Sequence, residues 1–438
     1  MTFRRRLRAP VVLPADPTCS VLRDAVVDID ETGRISYCGP AATAPEDDGV
    51  LVTDLSGILL PGLVNSHAHS PMTLLRGMGG ELPLLRWLQE IIWPAEAKLR
   101  PEDIRAGMLL GSVEMLRHGV TTSAEMYFDS EQLADAVLTT GGRVLLAPPM
   151  MDLPGMDWRT MLDGISRWID TDGLRFGPGD RVEVGYGPHS AYMLAPEALR
   201  AISEAAAARG ALVQIHVAEA AAEDEKQRAE HGSVPRLLDE VGMLAGRTIA
   251  AHAVHLSTED IELFAARGTG VAHCPGSNAK LASGIARLPE MRAASVAVGL
   301  GTDGPASNDD LDLWEEVQLA AMFARLSTKD STVLGAGAAL LMATRGGAEA
   351  LGRDDIGALE AGRWADLVHV DTDDPAFATG LGVPDGQLLQ NLVWAAGSRR
   401  VRDVWVAGEQ VVGEGESLRV DRAKVQASAA EAAARLRV

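Results

Sequence analysis

The sequence predicts an α/β fold, a (β/α)8 TIM-type barrel with a small second domain drawn from both chain ends. Three observations point there. Between Ile58 and about Gly301, short apolar, β-branched runs alternate with longer stretches of helical period, the rhythm of repeated strand–helix units. Eight such runs can be counted, the strand number of that barrel. Before about Pro61 and after about Gly362 the texture changes to short alternating runs, the pattern of antiparallel strands with one wet face.

The eight runs are Leu63–His69, Gly119–Met126, Arg143–Met150, Val182–His189, Leu212–Glu219, Thr248–His255, Gly270–Pro275 and Val296–Asp303, each passing into polar, Gly or Pro residues. The helices between them are punctuated. Pro101 opens one whose Ile104, Met108 and Met115 share a face, and Gly119 follows it, since Pro suits the first helical turn. A second runs from Pro196 to Gly210. A third starts at Ser257, where Ser-Thr-Glu-Asp forms a capping box in which Asp260 reaches back, and Gly268 closes it. The end domain should contain strands at Ala25–Ile29, Ile35–Cys38, Leu367–Val370 and Val404–Ala407, and the Ala-rich stretch Asp421–Arg437 should be helical. The expected division is therefore 61–361 for the barrel and 1–60 with 362–438 for the second domain.

A chain of 438 residues that is 47% hydrophobic can bury a large core. Its formal charge of -21 repels phosphates, which argues against nucleic acid or an anionic membrane as partner and favours a small-molecule substrate. Cys19, Cys38 and Cys274 are odd in number and lack metal-type spacing, so a disulfide framework is not expected and a cytoplasmic location is. Arg4, Arg5 and Arg6 imitate the start of a targeting signal, but Pro10, Pro14 and Pro17 interrupt the apolar run that would follow.

The sharpest chemical signal is Asn65-Ser66-His67-Ala68-His69 at the end of the first run. Alternate strand residues face one side, so both imidazoles point the same way. Alone, the pair reads equally well as two polar residues at a strand terminus. The fifth run, however, ends His216-Val217-Ala218-Glu219, the sixth contains His252, and the eighth ends Thr302-Asp303, all at the barrel end where functional residues gather. Three imidazoles and a carboxylate suit one divalent ion, zinc by preference with iron as the alternative. Such an ion lowers the pKa of its water from about 15.7 to about 7. Asp303 can then take the water's proton, His252 can orient the water, and Glu219 can protonate a ring nitrogen beside the attacked carbon so that an amino group leaves as ammonia.

The segments Pro61-Gly62-Leu63-Val64-Asn65-Ser66-His67-Ala68-His69, His216-Val217-Ala218-Glu219, Ala251-His252-Ala253-Val254-His255 and Leu300-Gly301-Thr302-Asp303-Gly304 resemble the motifs of the amidohydrolase superfamily. The branch they resemble best holds the methylthioadenosine/S-adenosylhomocysteine deaminases and triazine chlorohydrolases. The likeness spans nearly the whole chain and includes Ser277-Asn278-Ala279-Lys280-Leu281-Ala282-Ser283-Gly284. It implies that the two chain ends build one composite β-sandwich beside the barrel, and that the metal ligands are His67, His69, His216 and Asp303, with Glu219 as acid and His252 orienting water. Binuclear members need a bridging lysine from the fourth strand, but Lys98, Lys226, Lys280, Lys329 and Lys424 all lie outside the fourth run, so a single ion is expected. The stretch from Trp87 to Glu96 is similar to the segment that covers the substrate in nucleoside-deaminating members. By that resemblance Glu96 would hold the ribose hydroxyls and His189 would contact a purine nitrogen or the ribose. Homo-oligomers are also implied.

One departure matters. Members that read the homocysteine carboxylate use arginine after the third strand, where this chain reads Ala147-Pro148-Pro149-Met150-Met151-Asp152, with Arg159 the nearest candidate. The expected substrate is therefore an adenosine with a neutral 5′ group ahead of S-adenosylhomocysteine, and Met150 and Met151 suit an apolar one. The alternatives are another aminated ring (aminodeoxyfutalosine, guanine, cytosine or a pterin), a triazine, or a scaffold that has lost its chemistry. His118 is expected to close a helix, His231 to be solvated, His255 and His273 to hydrogen-bond behind the site, His369 to belong to the end domain, and Cys274 to be packed. Glu223-Asp224-Glu225 is expected to form a solvated helix face.

Overall fold

Each of the eight apolar runs becomes a barrel strand. The strands are Leu63–Ala68, Val120–Glu125, Arg143–Leu146, Val182–Val184, Val213–Val217, Thr248–His252, Gly270–His273 and Val298–Leu300, and every residue in the first, second and fifth is buried, as expected where helices cover one face and side chains fill the other. Neighbouring strands pair in parallel in the order four, three, two, one, eight, seven, six, five. The remaining gap is closed by Tyr186, whose N–H donates to Leu212 O at 2.8 Å while its carbonyl accepts from the Gln214 N–H at 2.9 Å.

The structure, a computed structural model, describes residues 5–46, 49–78, 82–153 and 155–436. Arg4, Arg437 and the side chains of Asp224 and Lys226, all named above, lie outside the described residues.

The punctuation holds. Helices run over Pro101–Arg117, Pro196–Arg209 and Thr258–Arg267. At the last, Ser257 Oγ accepts from Asp260 N at 3.1 Å while Asp260 Oδ2 accepts from Ser257 N at 2.9 Å, and Gly268 leaves in left-handed backbone. A helix also covers Arg422–Leu436. Among the described residues no helix is long and apolar enough to cross a membrane.

The chain ends meet in one nine-stranded sheet. The strands expected from the alternating runs pair antiparallel, but Arg5–Val12 pairs in parallel with both Leu51–Asp54 and Ile58–Pro61. The chain first makes the hairpin Leu22–Ile29 and Ile35–Pro40 and only then returns to the other edge of Arg5–Val12, so the direction is set by the path between strands and not by their local pattern. Leu7, Val27, Leu59, Leu367 and Trp405 share one apolar cluster in this sheet. Ile58–Pro61 runs directly into the first barrel strand, which anchors that strand, and with it the two histidines at its end, to the end sheet.

Candidate active site

The first barrel strand delivers His67, and His69 follows just past its end. The Nε2 atoms of both face Asp303 Oδ1, at 3.5 and 3.2 Å. His216, from the fifth strand, brings its Nε2 to 3.4 Å from that of His69. The far ring nitrogens are occupied by backbone: His69 Nδ1 donates to Met126 O at 2.6 Å and His216 Nδ1 to His189 O at 2.8 Å. This tautomer leaves two bare Nε2 lone pairs facing each other beside a carboxylate. His67 is buried and neither of its ring nitrogens has a protein partner. A pure set of acceptors around one point fits a cation, and the nitrogen-and-oxygen donor set fits a divalent metal ion. Burial opposes charge on His69, but Asp303 and the Met126 carbonyl outweigh it and raise the imidazole to about 9; a divalent ion supplies the positive charge that Asp303 otherwise draws from that proton. His252 adds a further nitrogen, its ligand atom lying within 4.8 Å of those of His67 and His216.

A ring of polar groups behind these residues holds them. Asp303 Oδ2, turned away from the histidines, accepts from Ser277 Oγ at 2.6 Å and Ser307 Oγ at 2.7 Å. Burial alone would raise the Asp303 carboxyl, yet the imidazoles of His67 and His69 close to its Oδ1 hold it well below the usual range. Asn278 Oδ1 lies 2.9 Å from His252 Nδ1, so His252 presents Nε2 to the cavity, 3.9 Å from Glu219 Oε2. Glu219 is buried, which raises its carboxyl and favours the protonated form. The strand ends turn inward through strained backbone: Ala218, His252 and Asp303 have φ of 48°, 69° and 59°, a left-handed conformation that non-glycine residues seldom adopt.

These groups form the floor of a cavity of about 510 Å³. Trp87, Glu96 and His189 all line it. The helical stretch from Leu84 to Glu96, with a wider turn at Leu88–Ile92, supplies the first two. Trp87 donates its indole N–H to Met78 O at 3.1 Å and so serves the cavity as an apolar wall. Glu96 accepts from the Tyr127 hydroxyl at 2.7 Å; burial raises its carboxyl to about 6, against the pull of that hydroxyl. The His189 ring lies 4.6 Å from that of His216, and burial pushes it down to about 3, which keeps it neutral.

Other expectations fall differently. Arg159 is exposed, pairs with Glu197 at 2.8 Å and lies over the Trp158 ring; it is not among the cavity-lining residues. Met151 lines the cavity whereas Met150 is buried behind it. Glu223 is not solvated: it is buried and its Oε2 accepts from the Glu219 N–H at 3.2 Å, because the helix Ala221–His231 starts directly after the fifth strand and its first turn leans on the site. His255 Nε2 donates to Ser283 O at 2.8 Å, while His273 Nδ1 is buried without a hydrogen-bond partner. His231 is half-buried, 3.9 Å from Glu240. His118 closes its helix through its backbone N–H, His369 pairs with Asp403 in the end sheet at 2.7 Å, and Cys274 is buried with its thiol pushed up by burial. Sequence reasoning missed Tyr127, Asn278 and Ser307 as site residues. Ser307 had a signal in its position four residues past Asp303, Asn278 stood inside a motif already singled out, and Tyr127 had only its place one residue past the second run.

A sequence profile of the amidohydrolase family matches residues 58–411. Among curated relatives, a 5-methylthioadenosine/S-adenosylhomocysteine deaminase of Pelotomaculum thermopropionicum is 40% identical, the match covering 98% of each chain. A 5′-deoxyadenosine deaminase of Methanopyrus kandleri is 36% identical over 95% of this chain and 96% of its own. Among solved structures, an adenosine deaminase from Xanthomonas campestris with bound zinc superposes with a TM-score of 0.88 at 34% identity, covering 99% of this chain and 98% of that one. An atrazine chlorohydrolase from Arthrobacter aurescens complexed with zinc gives 0.88 at 27% identity, over 98% of this chain and 100% of that one.

Proposed function

The chain belongs to the amidohydrolase family, and from that premise we propose that it hydrolyses the exocyclic amino group of an adenosine-type nucleoside, giving the inosine analogue and ammonia. One observation carries the reading: a buried, protonation-prone Glu219 shares a cavity with the metal-donor cluster and with Glu96. We assign one zinc ion per chain to His67, His69, His216 and Asp303, where it would act as a Lewis acid that makes water nucleophilic at neutral pH. We likewise take 61–361 as the catalytic unit and 1–60 with 362–438 as the sheet unit attached to it.

The protein's own groups then divide the work. Asp303 accepts the first proton of the attacking water through the oxygen that faces the histidines, since its other oxygen is already held by Ser277 and Ser307. His252, fixed by Asn278, orients the water toward purine C6. Glu219 donates a proton to the adjacent ring nitrogen, so that negative charge does not build up on the ring as the new C–O bond forms. The proton held by Asp303 then passes to the amino group and Glu219 recovers the proton of the new hydroxyl, so that the C–N bond breaks with ammonia as the leaving group and C6 becomes a carbonyl. Glu96 accepts from the ribose hydroxyls, and neutral His189 contacts the purine or the ribose.

Ammonia release by zinc-loaded protein from adenosine, 5′-deoxyadenosine and methylthioadenosine, with ammonia from guanine and chloride from a chlorotriazine as controls, tests the reading. Glu219→Gln should lower kcat by about 10²–10⁴-fold with metal content unchanged. Activity confined to the controls would remove the nucleoside assignment, and an undiminished kcat would remove Glu219 from the acid role.

A further inference from the structure

We propose that the part of the cavity facing the 5′ carbon is an apolar subsite without cations, which admits neutral 5′ substituents and rejects anionic ones. This rests on the nucleoside reading above. Among the described residues, no lysine or arginine lines the cavity, and its carboxylates are Glu96, Asp129, Glu219 and Asp303.

The layout follows from two fixed points. Purine C6 has to reach Asp303 and Glu219 on the floor, and the ribose has to reach Glu96. The 5′ carbon therefore points away from the floor, beyond Glu96. The helical stretch ending at Glu96 presents Leu84, Leu88 and Ile92, spaced four residues apart, to the cavity. Phe128, Leu153 and Met156 complete that wall. Nearby guanidinium groups are engaged elsewhere: Arg86 is exposed and held by Glu90, and Arg159 is exposed and held by Glu197.

A methyl or methylthio group placed against such a wall gives up unfavourable hydration and leaves nothing unpaired. A carboxylate or phosphate gives up favourable hydration and finds no positive partner. An amino-acid zwitterion fares little better, because Asp129 at the exposed rim can pair with the ammonium but leaves the carboxylate without a counter-charge. The inference divides the two activities carried by the names of the relatives, methylthioadenosine and S-adenosylhomocysteine deamination, and assigns this chain to the first.

The test measures kcat/KM of zinc-loaded protein for methylthioadenosine, 5′-deoxyadenosine, S-adenosylhomocysteine and adenosine 5′-monophosphate. The two neutral nucleosides should exceed both S-adenosylhomocysteine, whose 5′ substituent carries a carboxylate, and the monophosphate by at least about tenfold, most of it in KM, as expected of a buried charge left unpaired. The inhibition constant of S-adenosylhomocysteine against methylthioadenosine should show the same gap, and it needs no variant. Met156→Arg should raise the preference ratio for S-adenosylhomocysteine over methylthioadenosine by about tenfold. Wild-type kcat/KM values for these two compounds within about threefold of one another overturn the inference and leave the deaminase reading intact. If no adenosine derivative is deaminated while guanine or a triazine is, the nucleoside reading falls and this inference falls with it.

Discussion

Tyr127 gives Glu96 its one side-chain hydrogen bond, at 2.7 Å, and so sets both where that carboxylate sits and when it is charged. Burial raises the Glu96 carboxyl to about 6 and the tyrosine hydroxyl works against that rise. The charged form accepts ribose hydroxyls, so KM for nucleosides should climb as pH falls through about 6, when Glu96 takes up a proton. Tyr127→Phe removes a group that favours the anion, and its acid limb should begin at higher pH, with KM near neutrality raised by about tenfold for a lost bond to a charged group. Superimposable KM profiles for the two proteins would show that Tyr127 does not set this charge. His67 makes a different point at the same scale: both its ring nitrogens are buried without a hydrogen-bond partner, as suits a residue proposed to hold a cation.

At the level of elements, the site depends on how closely the eighth strand lies against the first. Asn65 locks them, its Nδ2 donating to Thr302 Oγ1 at 2.8 Å and its Oδ1 accepting from Thr302 N at 3.0 Å. Gly301 permits the approach: a Cβ there would stand 2.9 Å from His67 Cβ and 3.0 Å from Cys274 Sγ. Gly301→Ala should therefore push Asp303 away from the histidines and cost about 10–100-fold in metal affinity, the scale at which ligand-orienting contacts act. Competition with a chelator reads this directly, and wild-type affinity would mean the strands can part without moving the ligands.

Across the whole molecule, the barrel and the end sheet are held together by buried charge as well as apolar packing. Arg143, at the start of the third barrel strand, is fully enclosed and binds Asp366 through two nitrogens, at 2.9 and 3.0 Å, while Asp366 also accepts from the Ala407 N–H. Asp366→Ala would leave the guanidinium buried and short of its counter-charge, and should destabilise the protein by about 3–5 kcal/mol, read by denaturant unfolding; a loss under about 1 kcal/mol would mean that the carbonyls of Gly179 and Asp180 suffice. One apolar cluster runs through both parts, uniting Val11, Leu60, Val368 and Val404 with Val144 and Ile215. The proposed metal bears on stability too, because the donors assigned to it come from strands one, five and eight. Zinc at about 1,000 times its dissociation constant adds about 4 kcal/mol, so removing it with a chelator should lower Tm along with activity, and an unchanged Tm would place the ion outside this cluster.

The barrel was legible because its signals are local: each strand's apolar run and each helix's cap are decided within a few residues, as Ser257 with Asp260 shows. The proposed ligand set was legible because its three histidines and one carboxylate stand at strand ends, where topology alone brings them to one rim, and because the motifs around them match a known family. Tyr127, Asn278 and Ser307 were not legible, since which hydroxyl or amide reaches a given carboxylate or imidazole depends on side-chain direction at positions far apart in the chain. The same holds for the inward turn of Glu223, for the parallel pairing of Arg5–Val12 and for the exclusion of Arg159 from the cavity. Sequence by itself determined the elements, their order and the residues proposed as donors for the metal. Tertiary structure decided which groups hold those donors in place and which charges the substrate meets, because hydrogen bonding and desolvation depend on distances of a few ångströms that only packing sets.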